Sequence, residues 1–238
     1  MFGRFLELGM ATAQIAASVQ FYERLGFVQL ITGDAWSHPY GVLSDGRLRL
    51  GLHQCRMPSP TLTFVLPELQ RALPRLRAAS GEPELLQLGE ERMHMVRWRD
   101  PGGQALTLLE ARTFSPADLA VVQSACGYFL HLSLPQTDFE RAREFWERAG
   151  FVGLPEQDEP YPHLPLTSDQ LDLAFHQPRT FDAPLLVFEC ADLQRALARL
   201  HELAIPLAAT RPRGLDARRS ALLESPDGTA LLLLAASS

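Results

Sequence analysis

Phe21-Tyr22-Glu23-Arg24-Leu25-Gly26-Phe27-Val28 returns, 124 residues further on, as Phe145-Trp146-Glu147-Arg148-Ala149-Gly150-Phe151-Val152. Each copy reads as the last turns of a helix, a glycine for the left-handed residue that ends it, and the apolar start of a strand. Outward from this stretch the same spacing recurs. Leu69-Gln70-Arg71-Ala72-Leu73 comes back unchanged at 193–197. Leu50-Gly51-Leu52-His53-Gln54 comes back as Leu173-Ala174-Phe175-His176-Gln177, and Asp100-Pro101-Gly102-Gly103 as Ser225-Pro226-Asp227-Gly228. Four matches in one order at a near-constant offset mark a tandem duplication, and a repeat sets the architecture before any single motif does. The halves are residues 1–112 and 127–238, joined by a linker at 113–126 in which Ser115-Pro116 predicts the start of a short helix.

Within the first half, a strand over Arg4–Ala11 leads into a helix ending at Leu25, with Gly26 after it. Short strands follow near 27–32 and 40–43, and Asp45-Gly46 is a hairpin signal. The next strand alternates strictly, with Leu48, Leu50 and Leu52 on one face and Arg47, Arg49, Gly51 and His53 on the other. A strand at 61–66, a helix at 68–79 and three more strands complete the half, and the second half repeats the scheme. The expected fold is α+β: a tandem repeat of paired β-α-β-β-β units forming curved mixed sheets. Their leucine faces lie under helices on the outer side, and their other faces line concave cups.

Composition narrows the function. With 46% hydrophobic and 21% charged residues, the 238-residue chain has ordinary globular usage. A net charge of -6 argues against a nucleic-acid footprint, and no apolar run nears the roughly 20 residues of a membrane span. The chain has no lysine, which excludes Schiff-base and Walker-type chemistry, and no asparagine, which excludes N-glycosylation. No serine sits in a nucleophile elbow, and no glycine-rich phosphate loop is present. Three scattered cysteines, Cys55, Cys126 and Cys190, fit reduced thiols. The alanine-rich beginning is broken by Glu7 and offers no convincing cleavage site, so a cytoplasmic location is expected.

The order of elements, with the Phe21–Phe27 stretch leaving the first helix, the Asp-Gly hairpin, and Asp100-Pro101-Gly102-Gly103 entering a last strand, resembles the vicinal oxygen chelate superfamily. That superfamily includes glyoxalase I, bleomycin-resistance proteins and extradiol dioxygenases, and the resemblance covers almost the whole chain, twice. It implies a fold that hosts enzymes and pure binders alike. It also implies a divalent metal, held by residues from the first and fourth strands of each unit. Those positions fall on Glu7, Gly51, Thr61 and Thr107 in the first half, and on His131, Ala174, Leu185 and Leu232 in the second. Only Glu7 and His131 are good ligands, whereas a catalytic site needs about three protein donors. The expectation is therefore no cofactor. A divalent metal would still be held only by a set shifted by two residues, with His53 or His176 beside Glu7 or His131.

The residues expected to bind a ligand are Glu7, Trp36, Tyr40, Arg49, His53, Trp98, Thr107, His131, Asp172 and His176, with the stretches 33–40 and 156–163 at the two rims. Small residues beside a few aromatic and polar groups suit a planar organic molecule. His53 and His176 also read as strand-end residues copied by the duplication, and Trp36 and Tyr40 as loop anchors. The resulting expectation is a glyoxalase- or bleomycin-resistance-like protein that binds a small aromatic molecule without a metal. The alternative is a lyase, isomerase or ring-cleaving dioxygenase using Glu7 or His131 with an unusual divalent site. Fusion of two copies in one chain suits a monomer or a homodimer.

Overall fold

The computed structural model describes residues 2–32, 36–89, 93–111, 121–122 and 124–236. The predicted linker helix lies almost wholly outside the described residues. The first half contains two units. One is β1 (Arg4–Ala11), α1 (Ile15–Arg24), β2 (Val28–Leu30), β3 (Tyr40–Ser44) and β4 (Arg49–His53). The other is β5 (Thr61–Val65), α2 (Leu69–Ser80), β6 (Leu85–Gln87), β7 (Met95–Arg99) and β8 (Ala105–Leu109). The second half runs β9 (Tyr128–Pro135), α3 (Phe139–Ala149), β10 (Val152–Gly153), β11 (His163–Thr167) and β12 (Leu173–His176). It ends with β13 (Leu185–Cys190), α4 (Leu193–Glu202), β14 (Ser220–Glu224) and β15 (Ala230–Ala235).

Two mixed sheets result, ordered β2-β3-β4-β1-β5-β8-β7-β6 and β10-β11-β12-β9-β13-β15-β14. In each half the first strands of the two units pair antiparallel, β1 with β5 and β9 with β13. The units of one half thus share one sheet and one cup, a pairing the sequence leaves open. Glycines at positive φ, Gly26 at 95° and Gly150 at 107°, end the helices as the repeat predicts.

Register sets the faces. Gly9 pairs with Gly51, Val42 with Gly51, and Thr63 with both Glu7 and Thr107. The alternate residues Leu8, Leu50, Leu52, Leu62, Leu106 and Leu108 turn the other way, into a core that also takes Phe145, Trp146 and Phe188. The halves therefore share their main core, with Phe2 and Phe145 rings 6.1 Å apart. Strands β10 and β11 stand where the repeat implies counterparts of β2 and β3. Pro160, Pro162 and Pro165 disguise that region as loop, and proline is tolerated in β11 because its neighbour β10 is only two residues long. No described helix is long and apolar enough to cross a membrane, and all three cysteines are free thiols.

Candidate functional site

The first cup is built on Glu7, which β1 points inward beneath Gly51 of β4. Glu7 is almost fully buried. Its carboxylate takes a hydrogen bond from the Tyr40 hydroxyl through one oxygen, and lies 3.0 Å from His53 Nε2 through the other. His53 Nδ1 is in turn 3.0 Å from His38 Nε2. Tyr40 faces His53 because β3 pairs with β4 at that register. Trp36 closes the group, its ring 5.0 Å from His53, 5.4 Å from His38 and 6.0 Å from Tyr40. Burial raises the Tyr40 phenol well above its ordinary range, and the Glu7 charge adds to it, so Tyr40 keeps its proton. On the facing wall, Thr61 and Thr107 hydroxyls lie 3.4 Å apart, and Arg97 Nε donates to Thr107 at 3.2 Å. Burial raises the Cys55 thiol just past β4, and the Arg97 charge offsets part of that.

The second cup has the same frame and a different filling. Tyr161, Leu185, Val187, Leu222, Leu232 and Leu234 pack there as an apolar cluster, with Phe181 and Leu215 laid against it. His176 Nε2 donates to the Phe181 carbonyl at 2.9 Å, so its Nδ1 accepts, here from Ser133 Oγ at 2.7 Å. His163 Nδ1 donates to the Tyr161 carbonyl at 2.8 Å. His131 lies 5.9 Å from His163, and its buried Nε2 has no partner among the described residues.

Of the residues expected at a ligand site, the structure brings Glu7, Trp36, Tyr40 and His53 together in one cluster. Thr107 lies on the facing wall of that cup. Arg49 is half-buried on the same face, at the hairpin end of β4. His131 and His176 belong to the second, filled cup. Two placements need correcting. Trp98 points to the convex side, stacks on Phe2 at 6.3 Å and donates to the Gly81 carbonyl, because it alternates with the cup-facing Arg97. Asp172 is exposed at the β11–β12 hairpin, where it accepts from Thr167 Oγ1 at 2.7 Å. Sequence reasoning placed His38 and His163 only within the rim stretches, not among the binding residues, and missed Arg97 in the first cup. A two-residue period through Trp36, His38 and Tyr40 is the signal that would have found the first of these.

The divalent ion that the resemblance implies does not fit these residues. A β-carbon on Gly51 would lie 2.2 Å from Glu7 Cδ, so the Glu7 carboxylate occupies the space where a fourth-strand ligand would stand. Both carboxylate oxygens are already bonded. The shifted set gives the pair Glu7–His53 and stops there. In the second half the matching positions hold His131, Ala174, Leu185 and Leu232, of which His131 alone carries a ligand side chain, and both ring nitrogens of His176 are engaged. No group of three His, Cys, Asp or Glu among the described residues stands close enough to share an ion. Gly51→Ala should therefore expel Glu7 from its bonds and cost about 1–3 kcal/mol. In urea melts, the loss in the Gly51→Ala/Glu7→Ala double variant should fall short of the sum of the two single losses.

The sequence matches no protein-family model and no curated protein. The fold does have likenesses among solved structures. A catechol 2,3-dioxygenase is similar with a TM-score of 0.58 at 16% identity, covering 98% of this chain and 93% of that one. The 2,3-dioxygenase LapB from Pseudomonas sp. KL28 gives 0.61 at 14% identity, covering 99% and 92%. Homoprotocatechuate 2,3-dioxygenase from Arthrobacter globiformis gives 0.62 at 14%, covering 98% and 80%. These likenesses show the fold alone: an α+β arrangement of two mixed sheets like that of those dioxygenases.

Proposed function

We propose that this chain is a cytoplasmic, glyoxalase- or bleomycin-resistance-like protein that binds a small aromatic organic molecule in its first cup without a metal. The observation that carries this reading is the ring cage of Trp36, His38, Tyr40 and His53 over a buried carboxylate, where the fold's chelating positions hold glycine and threonine. Such a cage offers π-faces for stacking and a few oriented polar groups for registration. The second cup supports the choice of the first, since its own leucines and Tyr161 fill it.

Binding stabilises by mass action, by about 2.7 kcal/mol at a hundredfold excess over Kd, or roughly 5–10 °C for a chain of this size. A thermal-shift screen of planar phenols, quinones and heteroaromatics should give hits of that size, unchanged by EDTA. Trp36→Ala should weaken the hits about tenfold or more, and Tyr161→Phe in the second cup should leave them within twofold. Silence across the panel, or one equivalent of tightly held metal that is lost in Glu7→Ala, would overturn the reading.

A further inference from the structure

We propose that the first cup is also a general-base site, in which His38 takes a proton from the bound molecule while Glu7 and His53 position it to do so. This rests on the reading of the cup as an aromatic-binding site. A carboxylate only accepts hydrogen bonds. His53 Nε2 therefore donates to Glu7 Oε1, and with a single proton on that ring its Nδ1 accepts from His38 Nε2, each at 3.0 Å. The row fixes the His38 tautomer. Its lone pair stands on Nδ1, which no described residue bonds. Tyr40, donating to the other Glu7 oxygen, holds the carboxylate in place. His38 itself is only half-buried, so a ligand lying against Trp36 can reach it. Burial and the neighbouring His53 lower its pKa, which leaves the ring unprotonated at neutral pH.

The step is balanced without a cofactor. A C–H bond breaks, and its proton passes to His38 Nδ1. The electron pair moves either onto an adjacent carbonyl oxygen, to be reprotonated at another carbon, or into expulsion of a leaving group on the neighbouring atom. As His38 becomes positive, its Nε2–H bond to His53 tightens, and the Glu7 charge at the end of the row offsets the new charge. The substrate class is a small planar molecule with a C–H acidified by a carbonyl or a ring heteroatom. The reaction class is isomerisation or elimination.

Nitrobenzisoxazole is a suitable probe. Loss of its ring C–H proton breaks the N–O bond and releases a coloured cyanonitrophenolate, with no other reagent. The intact protein should open it at least ~100-fold faster than the same concentration of imidazole. His38→Ala should fall to the buffer rate and recover with added imidazole. Glu7→Gln and His53→Gln should lower kcat about tenfold with KM within twofold, a split that a merely structural role would not produce. His201→Gln, on the exposed side of α4, should leave the rate unchanged. Each variant's melting temperature reports its folding, and the half-exposed His38 keeps the test independent of the core. No acceleration by the wild type, or a His38→Ala variant as fast as the wild type, overturns the proposal. If the probe then still quenches Trp36 fluorescence, absent in Trp36→Phe, the binding reading stands and only the base is lost. If neither the probe nor any aromatic of the screen binds, both fall.

Discussion

Acidifying the protein from pH 7 to about 4.5 is expected to remove roughly 5 kcal/mol of its folding free energy. The source is the second cup. Burial drives the pKa of His131 down to about 3, with His163 and His176 adding to the shift. Burial likewise drives His176 down to about 4, and His163 moves the same way. An unfolded histidine titrates near 6.5. Below that pH the unfolded chain binds protons that the folded chain refuses, so stability is complete above about 6.5 and drains as pH falls toward the folded values. Each such histidine costs about 1.4 kcal/mol per pH unit, and two of them over two units give the figure. Urea midpoints measured from pH 7 to 4.5 would follow the loss. His131→Leu replaces a ring whose Nε2 lacks a partner, at a position paired with Val187 of the apolar cluster. It should roughly halve the slope and leave the variant about 2–3 kcal/mol more stable than the wild type at pH 4.5. An unchanged slope in that variant would mean that His131 is hydrated and that the cup is open.

What the sequence reveals of this site follows the reach of each signal. The strand period of two is local, so Leu48, Leu50 and Leu52 suffice to orient β4 and to turn His53 inward. The same period places Trp36, His38 and Tyr40 on one face, but Gly33 and Pro39 read as loop and hide it. Trp98 misleads because an indole beside arginines suggests a site, whereas the apolar alternation with Val96 marks the core side. His53 and His176 are copies, and the duplication predicts both. It does not predict their partners, since Glu7 is replaced by His131 in the second half and Gly9 by Ser133. The Glu7 carboxylate beneath Gly51 has no local signal at all. It depends on β1 lying parallel to β4, a long-range pairing that no window of sequence contains. The contact between the halves is invisible for the same reason.

That contact carries the remaining large prediction: Asp100→Ala should destabilise the protein by about 3–5 kcal/mol, at the upper end for one substitution. Asp100 is buried in the turn between β7 and β8. One carboxylate oxygen accepts from the Gly102 and Gln104 backbone at 2.9 and 2.8 Å. The other accepts from Gln136 Nε2 at 2.7 Å and Trp146 Nε1 at 3.0 Å, both in the second half. Truncation leaves four donors without their acceptor, the last two in an interior that offers no substitute. The duplicated turn answers with a related arrangement. The Tyr22 hydroxyl of the first half is buried without a hydrogen-bond partner among the described residues, and its pKa is raised by burial and then by the Asp227 charge. The Asp100 turn and Trp146, the second aromatic of the repeated stretch in the other half, are therefore two sides of one joint between halves. Trp146→Phe removes a single donor and should cost about 1–2 kcal/mol. Its effect should nearly vanish in the Asp100→Ala background. Urea unfolding followed by tryptophan fluorescence would measure both. A single transition at the wild-type midpoint in Asp100→Ala, or fully additive losses in the pair, would mean that the halves are held by their shared apolar core alone.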